Sequence, residues 1–111
     1  MAGPLATYAT ISAAGTYGPY NLDSSICPMN ATLGVFLTGG TATYGVQYTL
    51  DDLPNVLPAN VRWFDDANLP AGQTASGVTN YMFPVTGVRL VVTALAGGTL
   101  ELKILQGFST N

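Results

Sequence analysis

Glycine or proline interrupts every stretch of this 111-residue chain, which holds 13 glycines and seven prolines. Glycine gives up the most conformational entropy in a helix, and proline lacks the N–H that the helix needs. Long helices are therefore excluded. Between the interruptions, β-branched and aromatic residues alternate with Thr, Ser and Gln, as in strands with one buried face. The expected fold is all-β: a small β-sandwich or jelly-roll-like single domain over residues 1–111, with roughly seven short strands.

The clearest strand covers residues 42–50. Ala42, Tyr44, Val46, Tyr48 and Leu50 fall on one face, and Thr43, Gly45, Gln47 and Thr49 on the other. The segment before it, residues 31–38, alternates Leu33, Val35 and Leu37 with Thr32, Gly34 and Thr38, while Phe36 breaks the polar face. Gly39-Gly40 between them predicts a two-residue hairpin turn, with Val35 opposite Tyr44 and Leu33 opposite Val46.

A second hairpin is expected at the end of the chain. Setting Val92 opposite Leu102 and Leu90 opposite Ile104 requires a three-residue loop, Ala96-Gly97-Gly98, with Gly98 left-handed in a bulge. Arg89, Val91 and Thr93 then share a half-apolar second face with Glu101, Lys103 and Leu105. Residues 5–13 predict an N-terminal strand and residues 17–27 one or two short ones. Residues 51–77 read as loop, with a short strand near 61–64 and a turn of helix near 65–69.

Charge is scarce: three basic residues, Arg62, Arg89 and Lys103, and six acidic ones. Only 8% of the chain is charged and 48% is apolar, whereas a soluble domain usually carries about a quarter charged residues. Such a surface suits a subunit covered by partners. A net charge of −3 removes the electrostatic basis for binding nucleic acid, and no apolar run approaches the length of a membrane helix. Neither nucleic acid nor a membrane is an expected partner. No export signal is expected over residues 1–15, and a lone Cys27, read as a small buried residue, permits no internal disulfide.

Candidate chemistry is thin. The chain has no His, so the usual general base and commonest metal ligand are missing. Asp51-Asp52 and Asp65-Asp66 are carboxylate pairs, but Asp65-Asp66-Ala67-Asn68 offers too few oxygens for calcium; these Asp residues are expected to shape turns. No Ser sits in a nucleophile elbow. The sequon Asn30-Ala31-Thr32 is incidental without export. Tyr8, Tyr17, Tyr20, Tyr44, Tyr48, Tyr81 and Trp63 raise the idea of a sugar-stacking platform, although Tyr44 and Tyr48 share the apolar face of their strand. No catalytic residue, cofactor or metal is expected, and the chain is not expected to be an enzyme.

Five residues are structural or interface candidates. Trp63, within Arg62-Trp63-Phe64, is the best packed anchor. Arg89, on a strand rich in Val and Leu, needs a carboxylate or backbone carbonyls, with Glu101 or the acidic loop residues as candidates. Gly98 sets the turn. Pro4 and Leu5 belong to an uncharged N-terminal arm, residues 1–8, able to lie extended across a partner.

The segment Thr43-Tyr-Gly-Val-Gln-Tyr-Thr-Leu-Asp-Asp52 opens an ordered series of short motifs. The series continues in Trp63-Phe64 with Asp65, in Gln73-Thr74-Ala75, and in Phe83-Pro84-Val85-Thr86-Gly87-Val88-Arg89-Leu90. It closes in Gly97-Gly98-Thr99 and Leu105-Gln106-Gly107. In order and spacing, over residues 33–107, it resembles small virion structural proteins of tailed bacteriophages. The resemblance implies a virion component with a β-sandwich-like fold, in which Arg89 is a regular feature without a catalytic role.

Among virion roles, a capsid decoration (cement) protein fits best. Such proteins are small, β-rich late proteins made in the host cytoplasm. They bind at symmetry axes as dimers or trimers and bridge neighbouring shell subunits. The implied partners are the major capsid protein and copies of the chain itself, as a homotrimer on the capsid surface. The alternative is a tail, neck or fibre-associated protein with a carbohydrate-binding, host-recognition role.

Overall fold

The computed structural model of the chain describes residues 5–22, 30–53, 55–82 and 85–106. Eight strands form among them: β1 (Leu5–Ile11), β2 (Gly15–Asn21), β3 (Ala31–Thr38), β4 (Thr41–Thr49), β5 (Phe64–Asp65), β6 (Gly77–Tyr81), β7 (Gly87–Ala96) and β8 (Thr99–Gln106). One 3-10 turn, Pro58–Asn60, lies in the loop between β4 and β5. The turn of helix expected near residues 65–69 does not form; the chain bends there instead.

The strands build two antiparallel four-stranded sheets, ordered β1-β8-β3-β6 and β2-β7-β4-β5. Their inner faces meet in one core, so the all-β sandwich expected from the pattern is the fold. Leu33, Val35, Leu100, Leu102 and Ile104 come from the first sheet, and Tyr44, Val46, Val88, Leu90 and Val92 from the second. Each is at most 3% exposed, so the alternation placed these positions correctly. It failed at the end of β4, where Thr49 is buried and Leu50 is 54% exposed, and at Ala94, which is exposed where the β4–β7 register shifts between Thr43 and Tyr44. Tyr44 is core, its hydroxyl donating to the Ala75 carbonyl at 2.5 Å. Tyr48 is half-buried, edge-on to Tyr81 and stacked on Phe64, both at 5.6 Å between ring centroids.

The pairing differs from expectation. Neither Gly-Gly segment makes a hairpin: β3 and β4 lie in different sheets, and so do β7 and β8. Thr38 is opposite Thr99 in one sheet, and Thr41 opposite Ala96 in the other. Each Gly-Gly therefore carries the chain across the sandwich, and the two crossings run side by side. The left-handed residues are Gly39 (φ 67°), Gly40 (φ 58°) and Gly97 (φ 72°), not Gly98.

Gly98 needs to be glycine for another reason. A Cβ there would meet the Gly39 carbonyl oxygen at 2.1 Å, and one on Gly40 would meet the Ala96 oxygen at 2.2 Å. The two linkers touch backbone to backbone. A hairpin and a crossing place the same side chains inward and both demand glycine, which is why alternation alone could not choose between them. As a consequence, Arg89 and Val91 do not share a surface with Glu101 and Lys103; they point out of opposite sides of the sandwich.

The N-terminal strand forms over Leu5–Ile11, with Leu5 opposite Gln106 and Tyr8 opposite Lys103. Residues 5–8 are thus part of the first sheet rather than of a free arm. Pro4, Cys27 and Phe83-Pro84 lie outside the described residues.

Candidate interaction surfaces

The acidic residues serve the loops that flank the second sheet. The Asp51 carboxylate accepts from the Arg62 backbone N–H at 2.6 Å, and Asp52 accepts from the Asn55 side chain at 2.6 Å. Buried Asp66 accepts from the N–H groups of Asn68 and Leu69, at 3.0 and 2.8 Å, and from the Thr79 hydroxyl at 3.0 Å. These are turn and loop anchors, as the sequence implied, rather than ligands gathered around one point. Among the described residues, no group of three or more His, Cys, Asp or Glu side chains is placed to hold a metal.

The buried Tyr81 phenol feels the charge of the Asp66 carboxylate. Burial, together with that carboxylate, pushes Tyr81 far above the ordinary tyrosine pKa. Burial alone raises Tyr44. Sequence reasoning assigned Asp66 and Tyr81 no joint role, because the loop that brings them together is fixed only by the tertiary fold.

Trp63 and Arg89 do come together, on the outer face of the second sheet. Arg89 on β7 sits opposite Gln47 on β4, which sits opposite Asp65 on β5. Arg89 Nε donates to Gln47 Oε1 at 2.7 Å, and Gln47 Nε2 donates to Asp65 Oδ1 at 3.0 Å. The amide relays between guanidinium and carboxylate across three strands. The guanidinium carbon also lies 4.3 Å from the centroid of the Trp63 ring, a cation–π stack. Partial burial lowers the Arg89 pKa from its ordinary value.

Arg89 therefore has partners, but the expected Glu101 is not one of them, since Glu101 belongs to the other sheet. Trp63 is half-buried outside the core, and Leu53, Val56, Pro58 and Val61 of the loop before it line a cavity together with it. The cavity, of about 270 Å³, is also lined by Pro19 and Arg89.

The outer face of the first sheet is open. Four of its outward side chains are large and apolar in whole or part: Tyr8, Phe36, Val78 and Leu105, respectively 69%, 57%, 64% and 49% exposed. Glu101 and Lys103 stand among them on β8, and they are the charged residues of this face among the described ones. Phe36 was noted in the sequence as the residue that breaks its strand's polar face; the structure places it in the open.

The chain matches no protein-family model and, in sequence, no curated protein. Solved structures with a similar course of chain include one from the capsid of Helicobacter pylori bacteriophage KHP30, at 15% identity and a TM-score of 0.49, covering 96% of this chain and 89% of that one. Another is the SPBc2 prophage-derived protein YomS, at 17% identity and a TM-score of 0.42, covering 96% and 97%. A third comes from Bacillus endospore appendages, a family of disulfide-linked pili, at 14% identity and a TM-score of 0.43, covering 96% and 90%. At such scores these likenesses carry no functional argument.

Proposed function

We propose that this chain is a non-enzymatic virion structural protein that decorates a phage capsid and stabilises it by bridging major capsid subunits. The observation that carries the proposal is a surface built to be covered. Three cations and six carboxylates serve 111 residues, and a whole sheet face leaves Tyr8, Phe36, Val78 and Leu105 in the open. Exposed apolar side chains gathered on one face mark a contact surface. The motif series over residues 33–107 that resembles tailed-phage structural proteins supplies the setting.

The carboxylates support the non-enzymatic part, since Asp51, Asp52 and Asp66 are engaged in holding loops. In the assembled particle, sister copies and major capsid subunits cover the faces. The edge of β1 that β8 does not pair, continuous with residues 1–4, is suited to receive an extended partner strand. A small contact repeated over many copies suffices for full occupancy through avidity. The carbohydrate-binding alternative is weakened, because Tyr44 and Tyr81 are buried in the core and Arg89 covers one face of Trp63.

Stripping the protein from particles and adding it back tests the proposal. Stripped shells should release DNA at a lower temperature, and added protein should restore the original one. Equal release temperatures would reject cementing. A few copies per particle, rather than hundreds, would move the role to the tail or neck.

A further inference from the structure

The outer face of the first sheet carries its own complement. Two neighbouring rows of side chains cross it. One row holds Thr10 on β1, Glu101 on β8, Phe36 on β3 and Ser76 just before β6. The next row holds Tyr8, Lys103, Gly34 and Val78 on the same four tracks. On every track, one row has the larger residue where the other has the smaller, and on β8 one has the anion where the other has the cation.

We propose that two copies of this chain pair through this face about a two-fold axis. The axis lies in the interface, crossing the strands at the level of Leu102. Rotation about it keeps each track in place and exchanges the two rows. Phe36 of one copy then stands over Gly34 of the other, where a depression of about 500 Å³ lies between Phe36, Val78, Glu101 and Lys103. Tyr8 stands over Thr10, Val78 over Ser76, and Glu101 over Lys103, each contact made twice.

Gly34 has an ordinary backbone conformation, and a Cβ there would meet Val78 Cγ2 only at 3.8 Å. The monomer does not require glycine at that point, whereas a phenyl ring seated on it does.

The area is consistent with a real but moderate contact. Four strands about 4.8 Å apart and about seven residues long present roughly 450 Å² in projection per copy. With side-chain relief, this reaches the lower end of specific interfaces, about 1,200 Å² in total. Self-association in the micromolar range is expected, with two-fold rather than the three-fold symmetry expected from the sequence. This proposal rests on the chain being an assembly subunit but not on its partner being a capsid.

Sedimentation equilibrium of the full chain, from micromolar to millimolar concentration, tests it without any particle. A monomer–dimer equilibrium is expected. Glu101→Lys and Lys103→Glu should each weaken it about tenfold or more by opposing like charges twice, and the double variant should return to within about threefold of the original. Phe36→Ala and Gly34→Leu should weaken it while the thermal melt of the isolated domain shows that it folds. A monomer at every concentration, a trimer, or a dimer indifferent to Phe36→Ala and Gly34→Leu would overturn the proposal. So would charge reversal without rescue in folded double variants. None of those results bears on shell cementing, which the stripping experiment decides separately.

Discussion

Replacing Gly98 by alanine probes the crossing that joins the two sheets. The new Cβ would lie 2.1 Å from the Gly39 oxygen, 2.6 Å from its carbonyl carbon and 2.7 Å from the Thr38 oxygen. All three atoms are backbone, so relief requires the two linkers to part. Overpacking of this kind costs about 1–3 kcal/mol, and with no flexible side chain to yield, the upper half of that range applies. At Gly97 only the left-handed φ of 72° matters, since its Cβ would meet nothing nearer than Gly40 Cα at 3.8 Å. That strain amounts to about 1 kcal/mol.

Gly40→Ala suffers both effects. The expected order of destabilisation is therefore Gly40 first, then Gly98, then Gly97, with Gly34→Ala nearly silent. In a domain of this size, about 1 kcal/mol moves the melting temperature by about 4–8 °C, so calorimetry resolves the series. Gly40 and Gly98 wedge open the same contact, so the double variant should cost less than the sum of the singles by about 0.5 kcal/mol or more. Equal, additive effects at Gly97 and Gly98 would refute the side-by-side crossing and return the chain to two separate hairpins.

Other consequences are as direct. Arg89→Leu should destabilise by about 1–2 kcal/mol through loss of the Gln47 hydrogen bond and the Trp63 stack, with a change in Trp63 fluorescence; unchanged stability and emission would remove its structural role. Asp66→Ala should cost about 3 kcal/mol or more, because two loop N–H groups and the Thr79 hydroxyl lose a buried acceptor. Tyr44 and Tyr81 have raised pKa values in the fold, so their protonated forms persist while unfolded tyrosines ionise. Stability should be level below about pH 10 and fall above it, chiefly through Tyr81 at up to about 1.4 kcal/mol per pH unit, and Tyr81→Phe should make the fall shallower. Deleting residues 1–4 should weaken particle attachment without altering the melt of the isolated domain, whereas deleting residues 1–8 also removes half of β1 and should destabilise the fold.

Much of the fold was legible because burial obeys a period of two. Ala42, Tyr44 and Val46 point inward, as do Leu100, Leu102 and Ile104, and no partner need be known to say so. Which strand pairs with which was not legible at Gly39-Gly40 and Gly97-Gly98. The glycines that permit a tight turn equally permit two crossings to touch, and only the full set of strands decides. Arg89 needed a partner on electrostatic grounds, yet its partners Gln47 and Trp63 are supplied by different elements of the chain. The open position of Phe36 was visible as a flaw in alternation; its relation to Gly34 and the Glu101–Lys103 pair required the register of β3 against β8.

The central claim is that the chain is a structural subunit that holds a phage shell together. Its most direct test is the temperature at which particles release DNA, measured on native, stripped and reconstituted shells from the same preparation, alongside the copy number per particle. A lowered release temperature after stripping, its recovery on reconstitution, and hundreds of copies per particle are the predicted results. Release at one temperature in all three, or only a handful of copies, would contradict the account.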